Sequence, residues 1–123
     1  MAKILIVDDD PLLRELLGEL LELEGHATVA VESGMEGLAK LREGGFQLVT
    51  LDVEMPLLSG IEVLKLIRRD PTLVKLPVLM VTGQSMMAEL DAAFGDGATG
   101  YILKPFDLLA LSASVTKALS GPL

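Results

Sequence analysis

The sequence predicts an α/β fold in which five parallel strands form one sheet covered by helices on both faces. Three observations predict it. Five short apolar runs alternate with five segments of helical periodicity, with no repeat or low-complexity stretch between them. The runs do not alternate polar with apolar residues, as expected of strands buried on both sides. Every run but the second stops at a residue able to do chemistry: Asp8, Asp52, Thr82 or Lys104.

Lys3 to Val7 is the first run, and it ends in Asp8-Asp9-Asp10. Asp10-Pro11 then opens a helix, the acid as N-cap and the proline at the first helical position. That helix runs to about Leu23 and closes at Glu24-Gly25. Leu12, Leu13, Leu16, Leu17, Leu20 and Leu21 give it one broad apolar face. Ala27 to Val31 reads as the second strand. Ser33-x-x-Glu36 reads as a capping box for a helix to about Arg42, stopped by Gly44-Gly45.

The stretch Phe46 to Pro56 carries the third strand, which delivers Asp52 at its end, and Pro56 prevents further pairing. After a loop from Glu54 to Ser59, Gly60 to Arg69 is helical with Ile61, Leu64 and Ile67 on one face. Asp70-Pro71 breaks it. Pro77 to Val81 is the fourth strand, and Ser85 to Phe94 a weaker helix with Met86, Met87 and Leu90. Gly95-Asp96-Gly97 is a turn, and Thr99 to Leu103 is the fifth strand. Asp107 caps a last helix to about Leu119, with Leu108, Leu111, Val115 and Leu119 as its apolar positions.

A chain of 123 residues reads as one domain over 1–123, long enough to bury a core without staples. It has no cysteine, which excludes a disulfide framework and a thiolate metal site and fits a reducing cytoplasm. Half its residues are hydrophobic, which argues against disorder. No apolar run is long enough to span a bilayer, and the first residues lack the pattern of a signal peptide. A net charge of −8 disfavours direct contact with nucleic acid.

Ligands of an open parallel sheet bind outside the carboxyl ends of its strands. There the sequence gathers three carboxylates (Asp8, Asp9, Asp52), the Thr82 hydroxyl and the Lys104 ammonium. Crowded acids raise one another's pKa values, and a hard divalent cation such as Mg2+ relieves them. A metal, a lysine and a hydroxyl around one carboxylate suit phosphoryl transfer, with an aspartate as nucleophile. Gly95-x-Gly97-x-x-Gly100 matches a dinucleotide fingerprint in letters only, because it precedes a strand. His26, the one histidine, sits in a turn and reads as structural.

Four segments carry a joint resemblance: Ile4 to Pro11, Leu51 to Pro56, Val78 to Gly83 and Gly100 to Phe106. Across essentially its whole length the chain resembles the receiver domain of bacterial two-component response regulators. The resemblance implies a flavodoxin-like doubly wound (βα)5 sandwich with strand order 2-1-3-4-5. It implies that Asp52 accepts phosphate from a histidine kinase or phosphotransfer protein, with Mg2+ as cofactor. Asp9 and Asp52 would ligate the metal with the Glu54 backbone carbonyl, and Asp8 would act largely through ordered water. Lys104 would contact a phosphoryl oxygen, Thr82 would move its hydroxyl to another, and Tyr101 would rotate inward. The bond to Pro105 would be cis.

By the same resemblance, the output is a protein partner docking on the fourth predicted helix, fifth strand and fifth helix. A phosphorylation-dependent homodimer is a further expected outcome, and no membrane contact is expected. The domain would catalyse nothing beyond its own phosphorylation and dephosphorylation. Gly83 stands where the family often has alanine, Ser59 where it has aspartate, and Glu54 at a variable position able to tune the site. Two alternatives stand beside this reading. One is a receiver-like interaction module not controlled by phosphorylation. The other is a magnesium-dependent phosphatase with an aspartyl nucleophile, whose Asp-x-Asp-x-Thr pattern fails here at Leu12.

Overall fold

The computed structural model describes residues 2–83, 95 and 97–120. Its strands are β1 (Lys3–Val7), β2 (Ala27–Val31), β3 (Leu48–Asp52), β4 (Val78–Gly83) and β5 (Gly100–Lys104). Its helices are α1 (Pro11–Leu23), α2 (Gly34–Glu43), α3 (Gly60–Arg69) and α4 (Leu108–Leu119). The expected helix from Ser85 to Phe94, with Met86 and Met87, lies outside the described residues. The strands pair in parallel in the order β2-β1-β3-β4-β5, the order implied by the resemblance.

Successive side chains of a strand point to opposite faces, and here each face meets its own helices. Leu5, Val7, Val49, Leu51, Val78 and Met80 pack with Leu38 and Leu41 of α2 and with Val63, Leu64 and Ile67 of α3. Ile4, Ile6, Leu48, Leu79, Val81 and Ile102 pack with Leu17 and Leu21 of α1 and with Leu111 and Val115 of α4. Two cores, one per face, explain why the strands are apolar throughout. Each fully buried leucine or isoleucine contributes about 1.5–3 kcal/mol of transfer free energy.

The helix starts follow their caps. The Asp10 carboxylate accepts the backbone N–H groups of Leu12 at 3.0 Å and Leu13 at 3.4 Å, with Pro11 behind it. The Asp107 carboxylate accepts Ala110 N–H at 2.8 Å. At α2 only half of the expected capping box forms: Ser33 Oγ accepts Glu36 N–H, while the Glu36 carboxylate accepts the Ser33 hydroxyl at 3.3 Å and not the Ser33 backbone N–H. The full reciprocal box is at α3, where Ser59 and Glu62 each accept the other's backbone N–H.

Three expectations are corrected. The broad apolar face of α1 is not all core: Leu17 and Leu21 are buried, but Leu12 is 78 % exposed and Leu16 43 %. A helix lying on a sheet buries only one stripe, and the leucines of α1 wrap further round than the sheet covers. On α4, Leu108 is likewise exposed, and Ala118 is buried instead. Finally, β4 continues past Val81 through Thr82 and Gly83, and β5 is shifted one residue toward Lys104. The reason is register, since Thr82 pairs with Leu103 and Gly83 with Lys104.

Candidate functional site

The parallel arrangement brings every strand's carboxyl end to one edge. Asp8 and Asp9 follow β1 directly, Asp52 is the last residue of β3, Thr82 the last but one of β4, and Lys104 the last of β5. Asp9, Asp10, Asp52, Glu54, Thr82, Gly83 and Lys104 line a pocket of about 330 Å³ there. A larger pocket of about 440 Å³ lies at the opposite edge, between Phe46, Leu73 and Pro77, and holds none of these groups.

One oxygen from each of Asp8, Asp9 and Asp52 lies within 4.8 Å of the others. Asp10 is not in that group, because its carboxylate caps α1. Lys104 Nζ donates to Asp52 Oδ1 at 3.1 Å, with Asp52 almost wholly buried. Asp8 is buried as well: its Oδ1 accepts Asp10 N–H at 2.9 Å, while its Oδ2 has no partner among the described residues. Thr82 is buried and donates its hydroxyl to the Gly83 carbonyl at 3.1 Å. Tyr101 is 40 % exposed on the outer edge. The Glu54 side chain is exposed at the pocket mouth, and its backbone amide favours the charged form of Asp52. The Lys104–Pro105 bond is cis.

Electrostatics follow from burial. Asp52 is pushed up to about 6, first by desolvation and then by the Asp8 charge, with Lys104 opposing both. Asp8 is also raised, chiefly by desolvation, against the hydrogen bond from Asp10. Three crowded acids, one of them exposed and one with an orphaned buried oxygen, fit a hard divalent cation.

Two contributors were not foreseen. Arg14 Nη1 donates to the Asp8 backbone carbonyl at 2.8 Å, bracing the turn that carries both acids. Gly60 starts α3 directly over the Asp52 peptide: its N–H reaches the Val53 carbonyl at 3.1 Å, and a Cβ there would overlap the Asp52 carbonyl oxygen. Gly60 was visible only as a helix start, and nothing in the pattern around Arg14 marks it. His26 accepts the Ala2 backbone N–H on Nδ1 at 3.0 Å, a structural role.

Comparison with known proteins gives one consistent answer. Residues 4–116 match the response regulator receiver domain family. The chain is similar to the chemotaxis protein CheY-3 of Vibrio cholerae, 39 % identical over 116 residues, covering 94 % of this chain and 89 % of that protein. It is 37 % identical over 116 residues to the uncharacterized transcriptional regulatory protein YkoG of Bacillus subtilis, of which it spans 50 %. Among solved structures, a response regulator receiver domain protein from Clostridium thermocellum superposes with a TM-score of 0.91 at 30 % identity, covering 98 % of this chain and 95 % of that one. The chemotaxis response regulator CheY4 of Vibrio cholerae gives a TM-score of 0.90 at 30 % identity, covering 96 % and 98 %.

Proposed function

The chain belongs to the response regulator receiver domain family, and from that premise we propose that Asp52 is the carboxylate on which it takes a phosphoryl group. The observation that carries the reading is the 3.1 Å bond between Lys104 Nζ and a buried Asp52 beside two further acids. A carboxylate so placed is shielded from bulk water, yet it faces a pocket lined by acids, a hydroxyl and an ammonium.

The donor is a phosphohistidine of a sensor kinase or phosphotransfer protein. An Asp52 oxygen attacks phosphorus, the phosphorus–nitrogen bond breaks, and its electron pair returns to the imidazole. The nucleophile must be ionised, so an Asp52 that titrates near 6 is competent at neutral pH. Lys104 neutralises charge on the transferring oxygens, and Thr82 exchanges its bond to Gly83 for one to the phosphoryl group. Asp8, Asp9, Asp52 and the Glu54 carbonyl would hold Mg2+, which supplies charge neutralisation to the phosphoryl oxygens when bound.

Phosphorylation adds about −1.5 to −2 charge. Thr82 and Tyr101 carry that change to the face formed by β5, α4 and the predicted helix before them. A downstream protein, or a second copy of the chain, reads it there. The setting is the cytoplasm, and no substrate other than its own aspartate is turned over. No described helix is long and apolar enough to cross a membrane.

Mass spectrometry after incubation with acetyl phosphate and Mg2+ tests the reading. One added phosphoryl group is expected on the parent chain and none on Asp52→Asn. An unmodified parent, or modification that survives the substitution, overturns it.

A further inference from the structure

Arg68 lies in the last turn of α3, far from the acidic edge, with its side chain half-buried. It directs its donors to three backbone carbonyls: Nε to Gly97 at 2.9 Å, and Nη1 to Leu76 at 2.7 Å and Leu73 at 3.4 Å. One guanidinium thus ties the loop before β4 to the turn before β5. Gly97 has a positive φ of 102°, and a Cβ on it would press on Arg68 at about 3 Å. Just beyond, Thr99 N–H bonds the Val78 carbonyl, and Thr99 Oγ1 accepts Val78 N–H, each at 2.9 Å.

These contacts fall on a strand with little other support. β5 is an edge strand paired only with β4, and of its five residues only Ile102 is buried. It is held at its far end by the Lys104–Asp52 bond, roughly 13 Å along the strand. We propose that Arg68 is a positioning residue: by clamping the amino end of β5 it sets where Tyr101 and Lys104 stand and how far β5 moves when Asp52 is modified. The second half rests on Asp52 being the acceptor; the first does not.

Hydrogen–deuterium exchange on the parent chain, Arg68→Met and Gly97→Ala tests the clamp without phosphate. Amides of Thr99 and β5 are expected to exchange about tenfold faster or more in both variants, because charge-assisted hydrogen bonds are lost or displaced. β1 and β3 should keep their protection. Arg68→Lys, which retains the charge, should show a smaller loss and carries the test with Gly97→Ala if Arg68→Met does not fold. Loosening confined to residues 71–77, or spread evenly over the chain, overturns the proposal.

Tyr101 emission supplies the functional arm, since the chain has one tyrosine and no tryptophan. Acetyl phosphate with Mg2+ should change it in the parent, and Arg68→Met should show part of that change beforehand. An Arg68→Met chain whose Tyr101 emission equals the parent's in both states refutes the coupling. A parent that takes no phosphate fails the acceptor reading alone, and the exchange result then still decides whether the clamp exists.

Discussion

Lys104 Nζ reaches Asp52 Oδ1 at 3.1 Å although their strands do not pair: β4, carrying Thr82, lies between β3 and β5. The two side chains together therefore reach across two strand spacings, about 10 Å. The bond holds an edge strand to the centre of the sheet and keeps a buried carboxylate ionised.

Removing the ammonium should shift the titration of Asp52. Its hydrogen bond and its charge both oppose the rise caused by burial and Asp8. In Lys104→Met the Asp52 midpoint should move above about 6, measured by carboxyl NMR without metal. An unchanged midpoint would show that the 3.1 Å contact does not persist in solution.

Stability should carry the mark of the same group. Asp52 moves from 3.8 to about 6 on folding, so between those values the native state binds more protons. The stability it contributes is full below about 3.8 and is lost as pH rises through about 6. Asp52→Asn does not titrate there, so its advantage over the parent should grow across that window, by about 3 kcal/mol at most. Saturating Mg2+ should close the gap at pH 7, because it binds the ionised native state, and chelation should reopen it. Denaturant melts at pH 4 and pH 7, with and without Mg2+, check the sign.

Gly60→Ala should be costly out of proportion to its size. The added methyl meets the Asp52 backbone carbonyl, a group that cannot swing aside. A loss of about 2 kcal/mol or more is expected from urea unfolding, with weaker Mg2+ binding as the Asp52 peptide is pushed away. A neutral result would mean that α3 can retreat from β3 freely.

Thr50→Val should stabilise the fold. Thr50 is buried in β3 between Ile6 and Leu79, and its hydroxyl has no partner among the described residues. Replacing that hydroxyl with a methyl should gain about 1 kcal/mol, read as a higher urea midpoint at an unchanged slope. A loss instead would mean that the hydroxyl is satisfied in solution.

The element order was legible because strands covered on both faces stay apolar and end abruptly at polar residues. Asp8, Asp52, Thr82 and Lys104 could be picked out by place, since each closes or follows an apolar run. Other features depend on the third dimension. Which leucines of α1 face the sheet is decided by how far the sheet extends, so Leu12 and Leu16 looked like core. A capping box was expected only at Ser33, yet Ser59-x-x-Glu62 fits the same pattern in letters and closes on both sides, while the Ser33 pair does not. Arg68 bonds carbonyls, which every residue possesses, so no pattern of side chains could point to it.

β3 is buried at all five positions, while β5 is buried at one. Asp52 thus stands on the least compliant strand of the sheet and Lys104 on a far more yielding one. A disturbance at the carboxylate is therefore expected to displace its own support little and to reach the rim through the more exposed strand. On the proposed reading of Asp52 and of the β5 face, substitutions along the outer surface of β5 change recognition without loosening the carboxylate's seat, leaving those two properties free to diverge independently.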